Sequence, residues 1–346
     1  MKHALIRPNV AIRAAASVVG GKEHHGPLGA HFDFFNENDR FGQETWEKAE
    51  SEMQRMALAA ALDKAGLSES DLDLLFAGDL LNQCVGSSYG LLSYDIPYFG
   101  LYGACSTSAE GLLLASAMVG GADGGVGHAR AAAVVTSSHN AAAERQFRTP
   151  LEYGGQRPPT GQWTVTGAGA FILTPVGVGT EMARVRAGLP GIVIDPGITD
   201  ANNMGAAMAP AAASTLLRFF EADGSCPRDY DLIVTGDLGW EGSRILCDLL
   251  LAEGCDITSC HNDCGKMMFT RNTQDTHSGG SGCGCSATVL ASYLLPKLQA
   301  GELRRILYMA TGAMMSPDSV KQGQSIPGVA HLLCLESPMI DQDKEK

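Results

Sequence analysis

Cys105 is the residue whose type and setting point most directly to chemistry. It follows an apolar, strand-like run at residues 97–102 and stands where a helix rich in small residues begins. The N-terminal end of a helix offers free backbone N–H groups and the positive end of a dipole, which lower a thiol pKa and hold an oxyanion or a carboxylate. The sequence therefore predicts a reactive or ligand-holding thiol. The alternative is a small buried residue at a tight turn.

A second group of candidates lies towards the C-terminus. His261 and Asp263 come just after a predicted strand at residues 255–259, and Cys283 opens a second helix of small residues. All three are predicted to line the cleft that holds Cys105. For His261 and Asp263, the alternative is a surface loop whose polar groups are satisfied by its own Asp and Asn side chains.

Two aspartates, Asp79 and Asp237, end equivalent predicted strands in segments that echo each other, residues 71–80 and 229–238. We predict that both contact a ligand in this cleft, and the alternative is that they are cap or turn residues. As bare anions they would repel a negatively charged ligand. Such a ligand beside them therefore needs a proton, a cation or a hydrogen-bond donor between the charges.

Residues 140–164 are predicted to form an ordered functional loop or cap, and they contain Arg145, Arg148 and Arg157. A planar guanidinium group binds a carboxylate through two parallel hydrogen bonds, so Arg148 is predicted to bind an anionic ligand. Surface or inter-subunit ion pairs are the alternative for each of the three arginines.

No metal and no cofactor are predicted. Cysteines and histidines crowd residues 255–285, but their spacing lacks the paired Cys-x2-Cys knuckles of structural zinc sites. The glycine-rich run at residues 279–284 has neither a Walker lysine nor the dinucleotide-binding register.

An internal repeat supplies the elements that must position these residues. Three pairs of segments recur in the same order. The first pair reads as buried strands that follow alanine-rich helical stretches at residues 50–65 and 204–220, the second pair opens helices of small residues, and the third closes each half. The pairs are residues 71–80 and 229–238, 103–109 and 282–287, and 167–173 and 328–333. We predict an α/β fold of two β/α repeats, residues 1–176 and 177–340, with parallel sheets in an α-β-α-β-α body and a polar tail at residues 341–346.

The composition and charge of the chain exclude several classes of protein. The chain has 346 residues, of which 45% are hydrophobic and 18% charged, so global disorder is excluded. The formal net charge of −13 leaves no basic stripe for nucleic acid, which is not predicted as a partner. We expect no signal peptide and no transmembrane segment, and we interpret the ten cysteines as reduced thiols.

The run Ala-Cys-Ser-Thr-Ser at residues 104–108 resembles the nucleophile turn of the thiolase and ketoacyl-synthase superfamily, whose fold is also two β/α repeats. Further motifs along nearly the whole chain resemble the stage V sporulation protein AD family, thiolase-like proteins of endospore-forming bacteria. These motifs are residues 78–83, 136–140, 144–147, 153–155, 205–210, 261–265 and 279–283.

The resemblance implies binding of dipicolinic acid (pyridine-2,6-dicarboxylate), with or without calcium. It implies a soluble component of a spore membrane channel complex that takes up dipicolinate during sporulation and releases it in germination. The implied partners are the integral membrane subunits of the stage V sporulation A complex and a second copy of the chain. The implied location is the spore, peripherally on its inner membrane.

The resemblance also bears on catalysis. Condensing enzymes of the superfamily supply a His or Asn in an early loop of the second half and an Asn or His in the glycine-rich turn after it. Here residues 236–238 read Gly-Asp-Leu and residues 282–284 read Gly-Cys-Gly. We therefore expect a non-catalytic binder with Cys105 as a vestigial nucleophile. The alternatives are a thioester-dependent acyltransferase that uses Cys105, and a structural plug or scaffold that docks on a membrane channel.

Overall fold

Strands from both halves of the chain join one large mixed sheet. The computed structural model describes residues 5–119, 129–144 and 157–340. Its strands are β1 (Val10–Gly20), β2 (Phe34–Asn36), β3 (Leu74–Gly78), β4 (Tyr98–Gly100), β5 (Ala132–Ser138), β6 (Trp163–Thr164), β7 (Gly167–Pro175), β8 (Ala183–Leu189), β9 (Leu232–Thr235), β10 (His261–Asp263), β11 (Gly280–Ser281), β12 (Arg305–Ala313) and β13 (Gly328–Glu336).

Helices connect and cover these strands. They are α1 (Gly21–His24), α2 (Trp46–Ala65), α3 (Val85–Gly90), α4 (Thr107–Met118), α5 (Asn140–Glu144), α6 (Met204–Asp223), α7 (Gly239–Ala252), α8 (Cys264–Met268), α9 (Cys283–Val289), α10 (Leu295–Gln299) and α11 (Pro317–Lys321). A π-helical turn, Leu290–Leu294, joins α9 to α10.

The main sheet has the strand order β10-β9-β12-β13-β8-β1-β7-β5-β3-β4. Its two sets of five strands, β4-β3-β5-β7-β1 and β10-β9-β12-β13-β8, show the same succession of two parallel and two antiparallel pairings. The sets meet where β1 pairs briefly with β8, Val10 opposite Val185. The predicted α/β fold is confirmed, but the expectation of parallel sheets is wrong, because β7 and β13 run back beside β5 and β12. The proposed boundary at residues 176 and 177 stays a prediction, and it falls between β7 and β8.

Helices lie in three layers. The central helices α4 and α9 contact each other, and α4 touches strands of both sets, including β5 and β12. On the outer faces, α2 covers β1, β5 and β7, while α6 covers β12 and β13. The buried hydrophobic core fills the spaces between these layers, with Phe171 and Tyr308 among its largest fully buried side chains. This arrangement sets the N-terminal ends of α4 and α9 beside the same interior space.

Glycines let backbones meet across the central layer. A Cβ atom at Gly284 would collide with the carbonyl oxygen of Gly167, and one at Gly312 would collide with the carbonyl oxygen of Gly103. Such approaches are possible only where no side chain intervenes. The glycine-rich composition therefore has a packing cause at these positions.

Both long helices that the sequence predicts are present, with local signals at their ends. Thr45 caps α2 by accepting a hydrogen bond from the Lys48 amide at 3.3 Å, and Gly66 ends it in the left-handed conformation. Asn203 caps α6 in the same way through the amide of Ala206. These caps satisfy backbone groups that a helix terminus leaves unpaired.

The predicted strand at residues 255–259 is wrong. Asp256 instead closes a turn, since its Oδ1 accepts hydrogen bonds from the Thr258 amide at 2.9 Å and from the Thr258 hydroxyl at 2.6 Å. The strand begins later, as β10, so His261 and Asp263 lie in the sheet and not in a loop after it. Within the described ranges, no helix is both long and apolar enough to cross a bilayer. The predicted tail at residues 341–346 lies outside those ranges.

Candidate functional site

A cavity of about 250 Å³ lies at the N-terminal end of α4. Its lining combines polar and apolar side chains from residues 80–164 and residues 201–320. The polar members are Tyr102, Cys105, Glu144, Gln162, Asn202 and Ser281, with Thr164. No Lys, Arg or His contributes to the part of the lining that the structure describes, and Glu144 is its one carboxylate. The described wall therefore offers hydrogen bonds and one negative charge.

Cys105 lies in a tight turn two residues before α4. Its neighbour Ala104 takes the left-handed conformation, with a φ of 51°, which is uncommon for a residue other than glycine. Two hydrogen bonds hold the turn: the Gly103 amide donates to Thr107 Oγ1 at 3.0 Å, and the Ser106 hydroxyl donates to the Gly103 carbonyl at 2.7 Å. The turn presents the thiol to the cavity, while only 6% of Cys105 is exposed.

Asp237 forms the layer directly beneath the cavity. It follows β9, is fully buried, and accepts hydrogen bonds from three groups distant in sequence. These are the Thr311 hydroxyl at 2.7 Å, the Gly282 amide at 3.0 Å and the Ser281 hydroxyl at 3.2 Å. The Ser281 hydroxyl also lies 3.8 Å from Cys105 Sγ, so it links this carboxylate to the thiol. One carboxylate thus ties the Cys105 turn to β12 and to the start of α9.

The electrostatic setting of Cys105 corrects the expectation of a lowered thiol pKa. Burial raises the pKa of Cys105 well above its usual range, and the negative charge of Asp237 raises it further. Removing the thiol proton would place a second negative charge beside a buried carboxylate. Burial also raises the pKa of Asp237. At this site, desolvation and the negative charge of Asp237 raise the thiol pKa by more than the N-terminus of α4 lowers it.

Ser281 was not among the predicted residues, yet it is central to the site. Its hydroxyl lies 3.8 Å from Cys105 Sγ and 3.2 Å from the Asp237 carboxylate. Gln162, also not predicted, lines the cavity and donates to the backbone carbonyls of Asp237 and Gly280 at 2.6 and 2.9 Å. Its side-chain oxygen is buried and has no partner within the described residues. The glycine-rich run at residues 279–284 indicated that this segment is important, but nothing in the pattern indicated Ser281 itself.

Tyr102 adds a hydroxyl to the cavity wall. Burial raises its pKa to about 12, with a further contribution from the neighbouring Cys105. The phenol therefore keeps its proton near neutral pH and can donate a hydrogen bond. With Asn202, it gives the wall donors that suit the carboxylate oxygens of a ligand.

Cys283 lies next to the site but turns away from the cavity. It begins α9, is fully buried, and donates a hydrogen bond from Sγ to the Ser137 carbonyl at 2.8 Å. Burial raises the pKa of this thiol well above its usual range, as does the proximity of Cys105. The structure thus brings Cys283 close to Cys105 and gives it a partner in β5.

Asp79 occupies the position in the first set of strands that Asp237 occupies in the second, after β3. It is fully buried and accepts from Leu81 N at 2.8 Å, Ser87 N at 2.7 Å and Ser87 Oγ at 2.6 Å. It does not line the cavity. Its carboxylate closes the turn between β3 and α3, as the cap interpretation expects.

Asp263 and His261 also lie apart from the cavity lining. Asp263 caps α8 and accepts hydrogen bonds from Thr235, Leu238 and Gly239 at 2.6–2.9 Å. Burial, with the nearby charge of Asp237, raises the pKa of Asp263 to about 7. Burial and the charge of Lys266 lower the pKa of His261 to about 4. Asp263 supports the loop that carries Asp237, while His261 faces a different concavity.

Two of the predicted arginines, Arg145 and Arg148, lie outside the described residues. Arg157 is described, with 1% of its side chain exposed, and it pairs with Asp275 at 3.2 Å. It is not part of the cavity wall. No cluster of three or more metal-ligating side chains occurs within residues 5–119, 129–144 and 157–340.

Sequence comparison matches almost the whole chain to one family. The family model described as stage V sporulation protein AD covers residues 2–336. Stage V sporulation protein AD of Bacillus subtilis (strain 168) is 44% identical over 329 residues, which is 94% of this chain and 94% of the relative.

Solved structures with a similar fold include condensing enzymes. AbyA1, a tetronic acid condensing enzyme, aligns with a TM-score of 0.58 at 15% identity and covers 94% of this chain and 99% of its own. The 3-oxoacyl-[acyl-carrier-protein] synthase III of Aquifex aeolicus VF5 aligns with a TM-score of 0.55 at 14% identity, covering 94% and 99%. At these identities the likeness establishes a thiolase-like fold.

Proposed function

Because the chain belongs to the stage V sporulation protein AD family, we propose that its Cys105 cavity binds dipicolinic acid without catalysing a reaction on it. The observation that carries this proposal is the pairing of the Cys105 thiol with the buried carboxyl of Asp237. A condensing enzyme needs a thiolate, because the thiolate is the nucleophile. Asp237 opposes that state, whereas a protonated thiol is compatible with ligand binding.

The size of the cavity supports a small ligand. Its volume of about 250 Å³ lies just below the range of about 300–1,000 Å³ that drug-sized ligands occupy. Dipicolinic acid has one aromatic ring and two carboxyl groups, and it fits that scale. The Tyr102 hydroxyl and the Asn202 amide are the donors we assign to its carboxylates.

Charge is the main constraint on this proposal. Dipicolinate is a dianion near neutral pH, and Glu144 and Asp237 would repel it if both were ionised. Arg148, which lies outside the described residues, stays our prediction for the cationic group. Calcium bound with the ligand is the other way to balance the charge.

We extend the proposal to the assembly. The protein would act as the soluble component of a spore membrane channel complex, attached to the inner membrane through integral membrane subunits. A homodimer is supported by β4, the terminal strand of the described sheet, where Tyr98 and Phe99 are 40% and 46% exposed. An exposed edge strand with apolar side chains is a surface that another strand can cover.

The direct test is calorimetric titration of the full chain with dipicolinate, with and without calcium. The Cys105→Trp variant should lose binding, because the indole would fill the cavity. Cys105→Ala should bind nearly as well as the parent, since the donors remain. Cys226→Trp is the matched control, because Cys226 is exposed and lies outside the cavity lining. Unchanged binding in Cys105→Trp would place the ligand elsewhere, and no binding by the parent would favour the scaffold alternative.

The acyltransferase alternative has its own test. The protein is incubated with short and medium acyl-CoA thioesters, and intact mass is recorded. We expect no acyl adduct on Cys105 above background. An adduct that turns over when a malonyl or acetyl acceptor is added would contradict non-catalytic binding.

A further inference from the structure

A second concavity, which we call the α7–α8 cleft, lies between helix α7, strand β10 and helix α8. It encloses about 360 Å³ and is open to solvent. The residues that matter for its chemistry are Trp240, Ser243, Arg244, His261, Lys266 and Arg271. It shares no lining residue with the Cys105 cavity.

The charge of the α7–α8 cleft is opposite to that of the chain. Arg244, Lys266 and Arg271 line it together with one carboxylate, Glu241, whereas the whole protein carries a formal net charge of −13. A concave surface with an excess of one sign of charge concentrates counter-ions of the other sign. The cleft is therefore a local attractor for anions.

Two of these cations are held by an aromatic ring and not by carboxylates. Lys266 Nζ lies 4.8 Å and Arg271 Cζ 4.5 Å from the centre of the Trp240 ring. Neither forms an ion pair with another described residue. Arg244, in contrast, is 3.4 Å from Glu241 and 3.9 Å from Asp248. Cation–π contact thus positions Lys266 and Arg271 and leaves their hydrogen-bond donors available.

The inner wall of the cleft carries an unused polar group. Ser243 is 4% exposed, and its hydroxyl has no hydrogen-bond partner among the described residues. Buried hydroxyls are normally paired, so an unpaired one that lines a cleft indicates a missing ligand or water. His261 is already engaged, with Nε2 at 3.1 Å from Thr235 Oγ1 and Nδ1 at 3.8 Å from Cys247 Sγ.

We propose that the α7–α8 cleft binds a small phosphate-bearing ligand. A phosphate group presents several oxygens at once, which matches two separate cations and a hydroxyl better than a single carboxylate does. The concave shape and the buried Ser243 hydroxyl favour a small molecule over the flat acidic surface of a protein. The site is independent of the dipicolinate cavity, and its occupant is a different class of anion.

The test uses pyrophosphate as the probe on the full chain, by calorimetry at low ionic strength. Lys266→Gln and Arg271→Gln should each weaken binding by about tenfold, the effect of one charge-assisted hydrogen bond. Lys48→Gln, the same change at an exposed lysine of α2, should bind like the parent. Ser243→Ala should weaken binding by a few fold, and added salt should weaken it in the parent.

Parallel titrations separate this inference from the proposed function. Pyrophosphate binding should persist in Cys105→Trp, and orthophosphate should bind more weakly than pyrophosphate. The proposal is overturned if millimolar pyrophosphate does not bind, if Lys48→Gln weakens binding as much as Lys266→Gln, or if dipicolinate or an acidic peptide outcompetes pyrophosphate at the cleft.

Discussion

Asp79 and Asp237 occupy equivalent places in the two sets of strands, yet their structural roles differ. Both are fully buried and follow the second strand in from the outer edge of their set. The donors to Asp79 come from its own turn, Leu81 and Ser87. Those to Asp237 come from far along the chain, including Thr311 and Gly282. The first carboxylate closes a local turn, and the second joins separate segments beneath a cavity.

Each aspartate also has a buried acidic neighbour. Glu50 lies beside Asp79, and Asp263 lies beside Asp237. Each set of strands thus has a pair of buried carboxyl groups beside it, although Glu50 belongs to helix α2 and Asp263 to strand β10. The position in the fold does not reveal which pair serves a site; the origin of the hydrogen-bond donors does.

The largest expected effect is that of removing each aspartate. Asp237→Ala and Asp79→Ala should each lower the free energy of unfolding by about 3 kcal/mol, because several buried donors lose a charged acceptor. Only Asp237→Ala should also abolish dipicolinate binding, since the start of α9 and the Cys105 turn lose their common anchor. Denaturant titration and calorimetry measure the two effects. If both variants lost binding equally, Asp237 would be no more important for the cavity than Asp79.

The Asp79 pair should respond to pH. Burial raises the pKa of Glu50 well above its usual range, and the charge of Asp79 adds to this. The folded protein therefore keeps a proton that the unfolded chain releases above about pH 4.5, and the contribution of Glu50 to stability falls by up to about 1.4 kcal/mol per pH unit as pH rises. Glu50→Gln does not titrate, so its stability relative to the parent should increase between about pH 5 and pH 8.

Urea denaturation at the two pH values checks this prediction. Glu44→Gln, at an exposed position of the same region, is the control and should show no such trend. A Glu50→Gln variant whose relative stability is independent of pH would mean that Glu50 is ionised in the folded protein.

The Asp237 pair should control thiol reactivity. Asp237→Asn removes the negative charge beside Cys105, so the thiol pKa should fall. Alkylation by iodoacetamide should then accelerate by about threefold for each unit of that fall, because the gain in thiolate is partly offset by its lower nucleophilicity. Asp79→Asn should leave the rate unchanged. Peptide mass spectrometry follows Cys105, with the exposed Cys226 as the internal reference. Equal acceleration by both variants would indicate general loosening and not a local charge effect.

The smallest expected effect is that of Ser281→Ala. It removes one 3.2 Å hydrogen bond to Asp237 while the other donors remain. Unfolding free energy should fall by about 1 kcal/mol, and dipicolinate affinity by a few fold. Ser88→Ala, at an exposed serine, provides the baseline for both measurements. A complete loss of binding would assign Ser281 a direct contact with the ligand.

Most of the fold could be predicted from the repeated segments of the sequence. Short apolar runs that end in Gly-Asp located β3 and β9, and alanine-rich stretches located α2 and α6. Strand direction was less accessible, because a buried strand reads the same whether its neighbour is parallel or antiparallel. The strand at residues 255–259 failed because the apolar pattern gave no weight to the Asp256 turn.

The site was predictable only in part. Helix-start chemistry identified Cys105, and the echo of two strands identified Asp237. The sequence did not reveal that Asp237 would lie beside the thiol and reverse its expected pKa shift, because that depends on burial and on contacts between distant segments. Ser281 and Gln162 could not be predicted for the same reason. Their roles come from donors and acceptors in other elements.

The glycine contacts of the central layer have a consequence for how this family tolerates mutation. Because any side chain at Gly284 or Gly312 would strike a backbone carbonyl, substitutions there should be purged as strictly as changes at a binding residue. If every position around Cys105 were substituted and the variants were scored for function, two kinds of position would tolerate no change. Only the positions whose variants fold but do not bind the ligand report on ligand recognition. The others report on the close backbone contacts of Gly284 with Gly167 and of Gly312 with Gly103.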